Sequence, residues 1–228
     1  MSKPRVLFVF AHPDDELICG WPLLQDSAID KGVLICSSDA RNPQRRWCRH
    51  RKEALFALCQ HLSIPCRCLD YDSDFFRTPH RPPRRRGGLR RLFPQPQPKF
   101  LLRDVCRDIL ENMSFFEHDA VFTHNPWGEY GHLDHVLLHN VVLGNTKKPV
   151  YMTDLAMPVD WLPMSDSLPA YQRMLAPHMH SQRTLDADFY ERCATVYKKA
   201  RVWTWSRPPL PTATVYCIEA AQQQHGSA

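Results

Sequence analysis

The chain has 228 residues, 43% hydrophobic and 23% charged, a composition that fits one large globular domain and excludes a disordered or fibrous protein. No apolar run reaches the ~20 residues that a bilayer-spanning helix needs, and the net charge of +5 is too modest and too local to mark the whole chain as a nucleic-acid binder. The charge sits in residues 77–91 (RTPHRPPRRRGGLRR), without which the chain is mildly acidic. The start, MSKPRVLFVFAHPDDE, lacks secretory-signal grammar, since its apolar run is short and ends in His and acids. Nine cysteines, an odd number, fit free thiols in a reducing compartment, so a cytoplasmic location is expected.

Residues 5–11 (RVLFVFA) form a continuous β-branched and aromatic run that predicts a buried parallel strand. Asp14, Asp15 and Glu16 suit the positive end of a helix that the apolar pattern extends to about Lys31, with Gly32 as its C-cap. Residues 33–38 predict a second strand, residues 45–62 a helix carrying Trp47, Ala54, Leu55, Leu58 and Leu62 at helical spacing, and residues 66–71 a third strand. Cys66 and Cys68 have no second pair at zinc-ligand spacing and read as thiols at that strand. Residues 72–98 are rich in Arg and Pro, have no sustained period, and form a long loop. Further on, the pattern predicts a helix over 99–113, a strand over 120–124, a helix over 133–143, a strand over 150–154, a helix over 186–199, and short strands over 202–205 and 213–218.

Strands alternating with helices imply an α/β fold, a Rossmann-like parallel sheet with helices on both faces. The whole chain reads as one domain with a core over about 4–155, a less regular C-terminal extension over 156–228 and no internal repeat. In such sheets ligands bind beyond the carboxyl ends of the strands, near the switch in strand order.

Two motifs follow strands in this way. Ala11-His12-Pro13-Asp14-Asp15-Glu16 crowds an imidazole and three carboxylates at a buried strand end. Uncompensated charge there is costly, and a divalent cation would neutralise it; a solvated acidic helix start is the plainer reading. The second motif runs from Thr123 to His135 (THNPWGEYGHLDH). A helix beginning near Gly131 would put His132 and His135 on one face. Two histidines and a carboxylate make a catalytic zinc set with one coordination position left open. His139 reads as a core or surface residue, and His124 either lines the pocket or closes the strand.

The pairing of AHPDDE with GEYGHLDH resembles the PIG-L/LmbE family of metal-dependent de-N-acetylases, across residues 4–155. The resemblance implies a Rossmann-like fold and removal of acetyl groups from N-acetylglucosamine-type substrates, the substrate here being an amino-sugar-containing small molecule or glycan precursor. It implies His12, Asp15 and His135 as zinc ligands, with iron(II) an alternative because two histidines and a carboxylate suit both ions. It implies Asp14 as the general base toward the attacking water and His132, as imidazolium, as the group that stabilises the oxyanion. Asp134 is then the carboxylate that orients His132, and Tyr130 a contact to the substrate carbonyl. The chemistry has its own logic, because an amide yields only when its carbonyl is polarised, its attacking water deprotonated and its leaving amine protonated.

The chain departs from the family pattern in places. Leu133 stands where proline is frequent. The family's second helix often carries Arg three residues before a Glu, whereas His50 holds that position before Glu53, flanked by Arg49 and Arg51. A later His-x-Ser-Gln-like element survives only partly, as His180-Ser181-Gln182. Candidate substrate contacts are Trp127, Glu129, Arg49, Arg51, Arg84 and Arg85. The Arg/Pro segment reads as a solvated loop, as a site for the phosphates of a nucleotide-linked sugar or a phospholipid headgroup at a membrane surface, or least well as a nucleic-acid contact. Among the tryptophans, Trp127 is the best placed to stack on a sugar, ahead of Trp161, Trp203 and Trp205. Two alternatives to N-deacetylation stand: an amidase for a larger acyl group or a thiol-sugar conjugate, and a non-catalytic glycan or phosphate binder of the same fold.

Overall fold

The amino-terminal apolar run forms β1 (Arg5–Phe10), and it becomes the centre of the sheet. The computed structural model describes residues 2–38, 46–71, 102–154, 173, 175–205 and 209–219. Strand β1 pairs in parallel with β2 (Asp30–Ser37) on one side and with β4 (Ala120–Thr123) on the other. Beyond β2 lies β3 (Cys66–Tyr71), and beyond β4 lies β5 (Val150–Thr153), both parallel. Strand β7 (Thr212–Ile218) then runs antiparallel to β5, and β6 (Met179–Thr184) antiparallel to β7. The order is β3-β2-β1-β4-β5-β7-β6.

Because side chains alternate along a strand, β1 feeds two cores. Val6, Phe8 and Phe10 enter one with Phe122, and Leu7 and Val9 the other with Val121. The first core is covered by the short turns α1 (Asp15–Ile18) and α2 (Trp21–Leu24), by α3 (Arg51–His61) and by α7 (Ala187–Lys199). The second is covered by α4 (Leu102–Asn112) and α6 (Leu133–Asn145). Phe8 and Phe10 meet Phe122 edge-on, at centroid distances of 5.1 and 5.6 Å. Each buried ring contributes about 1.5–3 kcal/mol. Helices thus lie on both faces, as expected.

Four sequence expectations change. The single helix to Lys31 is two short turns, broken at Gly20 and Pro22, and β2 begins at Asp30. Gly32 is therefore no helix cap: it lies in β2 under Phe116, whose Cγ would stand 2.5 Å from an added Cβ. The sheet is mixed, since the C-terminal segment adds β7 and β6 to it in antiparallel fashion. Residues 202–205 form no strand, while β6, over exposed polar residues that include His180, Ser181 and Gln182, is one. Helix α7 starts as expected after Asp186, whose side chain accepts the Phe189 N–H at 2.9 Å, a cap worth about 1 kcal/mol.

Candidate metal centre

The strand order reverses between β1 and β4, and both motifs emerge there, at the carboxyl ends of these two strands. The first motif turns sharply: Asp14 has φ 93°, a left-handed conformation that costs a non-glycine residue energy. The turn is held from within and from far away. The Asp14 N–H donates to Glu16 Oε2 (3.0 Å) and to the Tyr197 hydroxyl (3.1 Å), and that hydroxyl donates to Glu16 Oε1 (2.5 Å). Tyr197 belongs to α7, so the C-terminal part of the chain fixes the backbone of the first motif. Burial pushes the Glu16 carboxyl up to about 8, against the hydrogen bond from Tyr197. The sequence reading missed both residues as parts of the site. Glu16 stood in plain view, but nothing local connects it to a tyrosine 181 positions away.

Asp15 lies at the centre of the constellation. Its Oδ2 accepts the His12 N–H at 2.8 Å and lies 3.3 Å from His12 Nδ1 and 3.3 Å from His135 Nε2. His12 Nδ1 and His135 Nε2 are themselves 3.4 Å apart. Three donor atoms thus form a near-equilateral triangle. Ligands ~2.0–2.1 Å from a tetrahedral ion stand about 3.3–3.4 Å apart, so the triangle fits a small divalent cation such as zinc. All three residues are buried. Burial raises the Asp15 carboxyl, but His135 and the hydrogen bonds from His12 and His135 outweigh it and hold it well below the usual carboxylate range.

The other nitrogen of each histidine is engaged by a carboxylate. His12 Nε2 is 3.1 Å from Asp134 Oδ2, and His135 Nδ1 is 2.6 Å from Glu129 Oε2. His124 and His132 each stack against His135, with ring centroids 3.7 and 4.5 Å away. His124 also lies near Asp15, at 3.5 Å from Oδ2. However, its Nε2 lone pair takes the Ala11 N–H (3.0 Å) and its Nδ1 meets Glu129 Oε2 (3.0 Å), so neither nitrogen is left for an ion. His139 binds the His124 carbonyl through Nδ1 at 2.7 Å and is a core residue.

Asp14 points differently. Its Oδ1 accepts from Arg51 at 2.6 Å, and its buried Oδ2 has no hydrogen-bond partner among the described residues. Burial raises its carboxyl to about 6, with Arg51 acting in the opposite sense. His132 is not the first residue of a helix face. It is the extended N-cap of α6, and its Nδ1 accepts the Asp134 N–H at 3.2 Å. Burial, with His135 and His12 close by, pushes it down to about 3, which disfavours the imidazolium form that the resemblance implies. The Asp134 carboxylate, expected to orient His132, instead contacts His12; only its backbone N–H reaches the His132 ring. Tyr130 packs edge-on against His132 and His135, at centroid distances of 5.8 and 5.4 Å.

The substrate contacts expected from sequence are placed variously. Trp127 is buried in the second core among Leu138 and Val142 and cannot stack on a sugar. Trp203 packs against Tyr190 and Tyr197, whereas Trp205 lies edge-on to Tyr130 at 5.7 Å. Arg51 is buried and bound to Asp14 and to the Pro13 carbonyl, and Glu129 is buried with both oxygens accepting from the second motif. Arg49 is exposed in a 3-10 turn (Arg46–His50). Arg84, Arg85, Trp161 and the rest of the Arg/Pro segment lie outside the described residues. None of the nine cysteines is in a disulfide, and no described helix is long and apolar enough to cross a membrane.

Solved structures share this architecture. A teicoplanin deacetylase in complex with teicoplanin is similar over 94% of this chain and 98% of its own, with 15% identity and a TM-score of 0.55. The zinc-inhibited form of teicoplanin deacetylase matches over 93% and 97%, with 15% identity and a TM-score of 0.59. A deacetylase of the A40926 pseudoaglycone covers 96% and 99%, with 12% identity and a TM-score of 0.58. No curated protein matches the chain. The mixed α/β sheet is the fold of these deacetylases. More than half of the chain, residues 7–144, matches the PIG-L family, described as GlcNAc-PI de-N-acetylase, and the chain belongs to that family.

Proposed function

We propose that the protein hydrolyses an N-acetyl group from an amino-sugar-containing small molecule or glycan precursor, with zinc held by His12, Asp15 and His135. The triangle of donor atoms carries this reading, together with the neighbouring residue Asp14, whose Oδ2 has no hydrogen-bond partner among the described residues. When bound, the ion polarises the amide carbonyl and lowers the pKa of water from 15.7 toward ~7. The chain's own residues do the rest. Asp14 Oδ2 takes the proton from the attacking water, while Arg51 holds Oδ1 and so fixes the direction in which Oδ2 points. His132, its Nδ1 filled by the Asp134 N–H, presents Nε2–H to the developing oxyanion, and the Tyr130 hydroxyl is the second donor. Such a donor is typically worth about 3–4 kcal/mol. The proton accepted by Asp14 is the one the departing amine needs. Attack of water on the acetyl carbon and cleavage of the C–N bond then yield acetate and the free amine.

The family description, with the teicoplanin and A40926 pseudoaglycone deacetylases of like fold, supports an amino sugar as the substrate core. Leu133, 54% exposed between His132 and Asp134, favours a second reading, removal of a longer acyl chain lying along an apolar rim. We place the enzyme in the cytoplasm, in keeping with its unbridged cysteines. Incubation of zinc-loaded protein with N-acetylglucosamine, a UDP-linked form, a phosphatidylinositol-linked form and an N-octanoyl analogue tests this, with the released acid as readout. Acetate from one of the first three is expected. Octanoate alone would favour the second reading, and no acid from any member would contradict an amino-sugar substrate.

A further inference from the structure

Glu129 has no place in the chemistry described so far, yet the fold holds it in an unusual setting. It is a buried carboxylate six residues before a proposed ligand, and its backbone is strained, with φ 55° and ψ −68° inside the distorted turn α5 (Gly128–Gly131). Such a conformation costs about 1–3 kcal/mol and persists only where the surroundings enforce it. Here they do. The Glu129 N–H donates to Asn125 Oδ1 at 2.8 Å, and Asn125 Nδ2 donates to the carbonyls of Thr153 and Asp154, each at 3.2 Å, at the end of β5. Glu129 Oε1 accepts the Asn125 N–H at 3.1 Å. The whole turn is thereby tied to the sheet, and its product is a single oxygen, Oε2, between two imidazoles.

We infer that Glu129 is a positioning residue that fixes the proton of His135 on Nδ1, leaving Nε2 to bind the metal, and locks the His124 ring against it. A carboxylate only accepts, so both ring nitrogens that meet Oε2 must be N–H donors: Nδ1 of His135 at 2.6 Å and Nδ1 of His124 at 3.0 Å. His124 obeys this from its other side, since its Nε2 accepts the Ala11 N–H and so carries no proton. With Nδ1 protonated, the His135 lone pair lies on Nε2, the atom that stands 3.3 Å from Asp15 Oδ2 and 3.4 Å from His12 Nδ1. His124, stacked on His135 at 3.7 Å and anchored to β1 through Ala11, prevents that ring from tilting. Carboxylates that hold a ligand histidine in this way typically account for 10–100-fold in metal affinity. The inference rests on the metal reading proposed above and adds a residue that the sequence offered as a substrate contact.

The variant Glu129→Gln keeps the shape and removes the charge and one acceptor. Zinc affinity, measured by competition with a chelating dye, is expected to fall by ~10–100-fold, with KM for substrate unchanged at saturating zinc. Two-bond proton–nitrogen NMR of the imidazoles in the zinc-loaded wild type should show His135 and His124 both protonated on Nδ1, with those protons slow to exchange. This second measurement needs no variant and stands even if Glu129→Gln fails to fold. Unchanged zinc affinity in a folded Glu129→Gln, or coordination of wild-type zinc through His135 Nδ1, overturns the inference while leaving the metal site intact. A wild type that binds no zinc removes the metal reading itself, and the inference with it.

Discussion

Asp14→Asn is expected to lower kcat by about 10²–10⁴-fold, the span that a lost general base commands, while zinc content stays at that of the wild type. The substitution is nearly isosteric. The amide oxygen can occupy the place of Oδ1 and keep accepting from Arg51, and the amide nitrogen then stands where Oδ2 has no partner among the described residues. An amide nitrogen takes no proton from water, so turnover falls for a chemical reason. Arg51 is buried and loses a formal charge partner, and breaking a buried pair outright costs about 3–5 kcal/mol. The retained carbonyl acceptor should keep the loss below that range, and a thermal melt of the variant reads it. Full activity in a folded, zinc-loaded Asp14→Asn would assign the base elsewhere. A non-catalytic binder of this fold, by contrast, would keep its function in the variant.

His135→Ala is expected to abolish stoichiometric zinc and to reduce product release to background. Removing a carboxylate behind a ligand already costs 10–100-fold in affinity, and removing the ligand exceeds that. His12 and Asp15 alone leave two donor atoms. The nearest substitute is His124, stacked on the missing ring, but its Nε2 is bound to the Ala11 N–H and its Nδ1 to Glu129. Recruiting it would strip a buried backbone N–H of its partner, a cost of about 1–3 kcal/mol. The variant also leaves Glu129 Oε2 with one donor instead of two, so melting should fall as well. Metal analysis separates the two effects: one zinc per folded chain in His135→Ala would contradict its assignment as a ligand.

Much of this was written in the sequence, and the reasons for the remainder are physical. Strands β1 and β4 are bounded apolar or β-branched runs, so their limits could be read to within a residue. Strand β6 could not: Met179 to Thr184 is an exposed edge with no alternation, and it is a strand because β7 offers it a partner. The helix expected to run to Lys31 rested on acids followed by apolar residues, a pattern that two separate turns satisfy equally well. Gly32 looked like a cap because only packing against Phe116 explains a glycine in mid-strand. The His, Asp and Glu of the two motifs marked a candidate metal site, since a divalent cation would neutralise charge of that density at buried strand ends. Which carboxylate serves which ring was not legible. The partners of Asp134, Glu129 and Arg51 lie 122, 6 and 37 residues away, and are fixed by how β1, α3 and α6 pack rather than by local spacing. Trp127 misled for the same reason, as a motif residue whose side chain turns into the core.

The most direct test of the account is a zinc titration of metal-free wild-type protein with product release as the readout. The account predicts no release before zinc is added, a rise proportional to zinc, and saturation at one ion per chain. Release that is complete in the metal-free protein, and indifferent to added zinc, would contradict it.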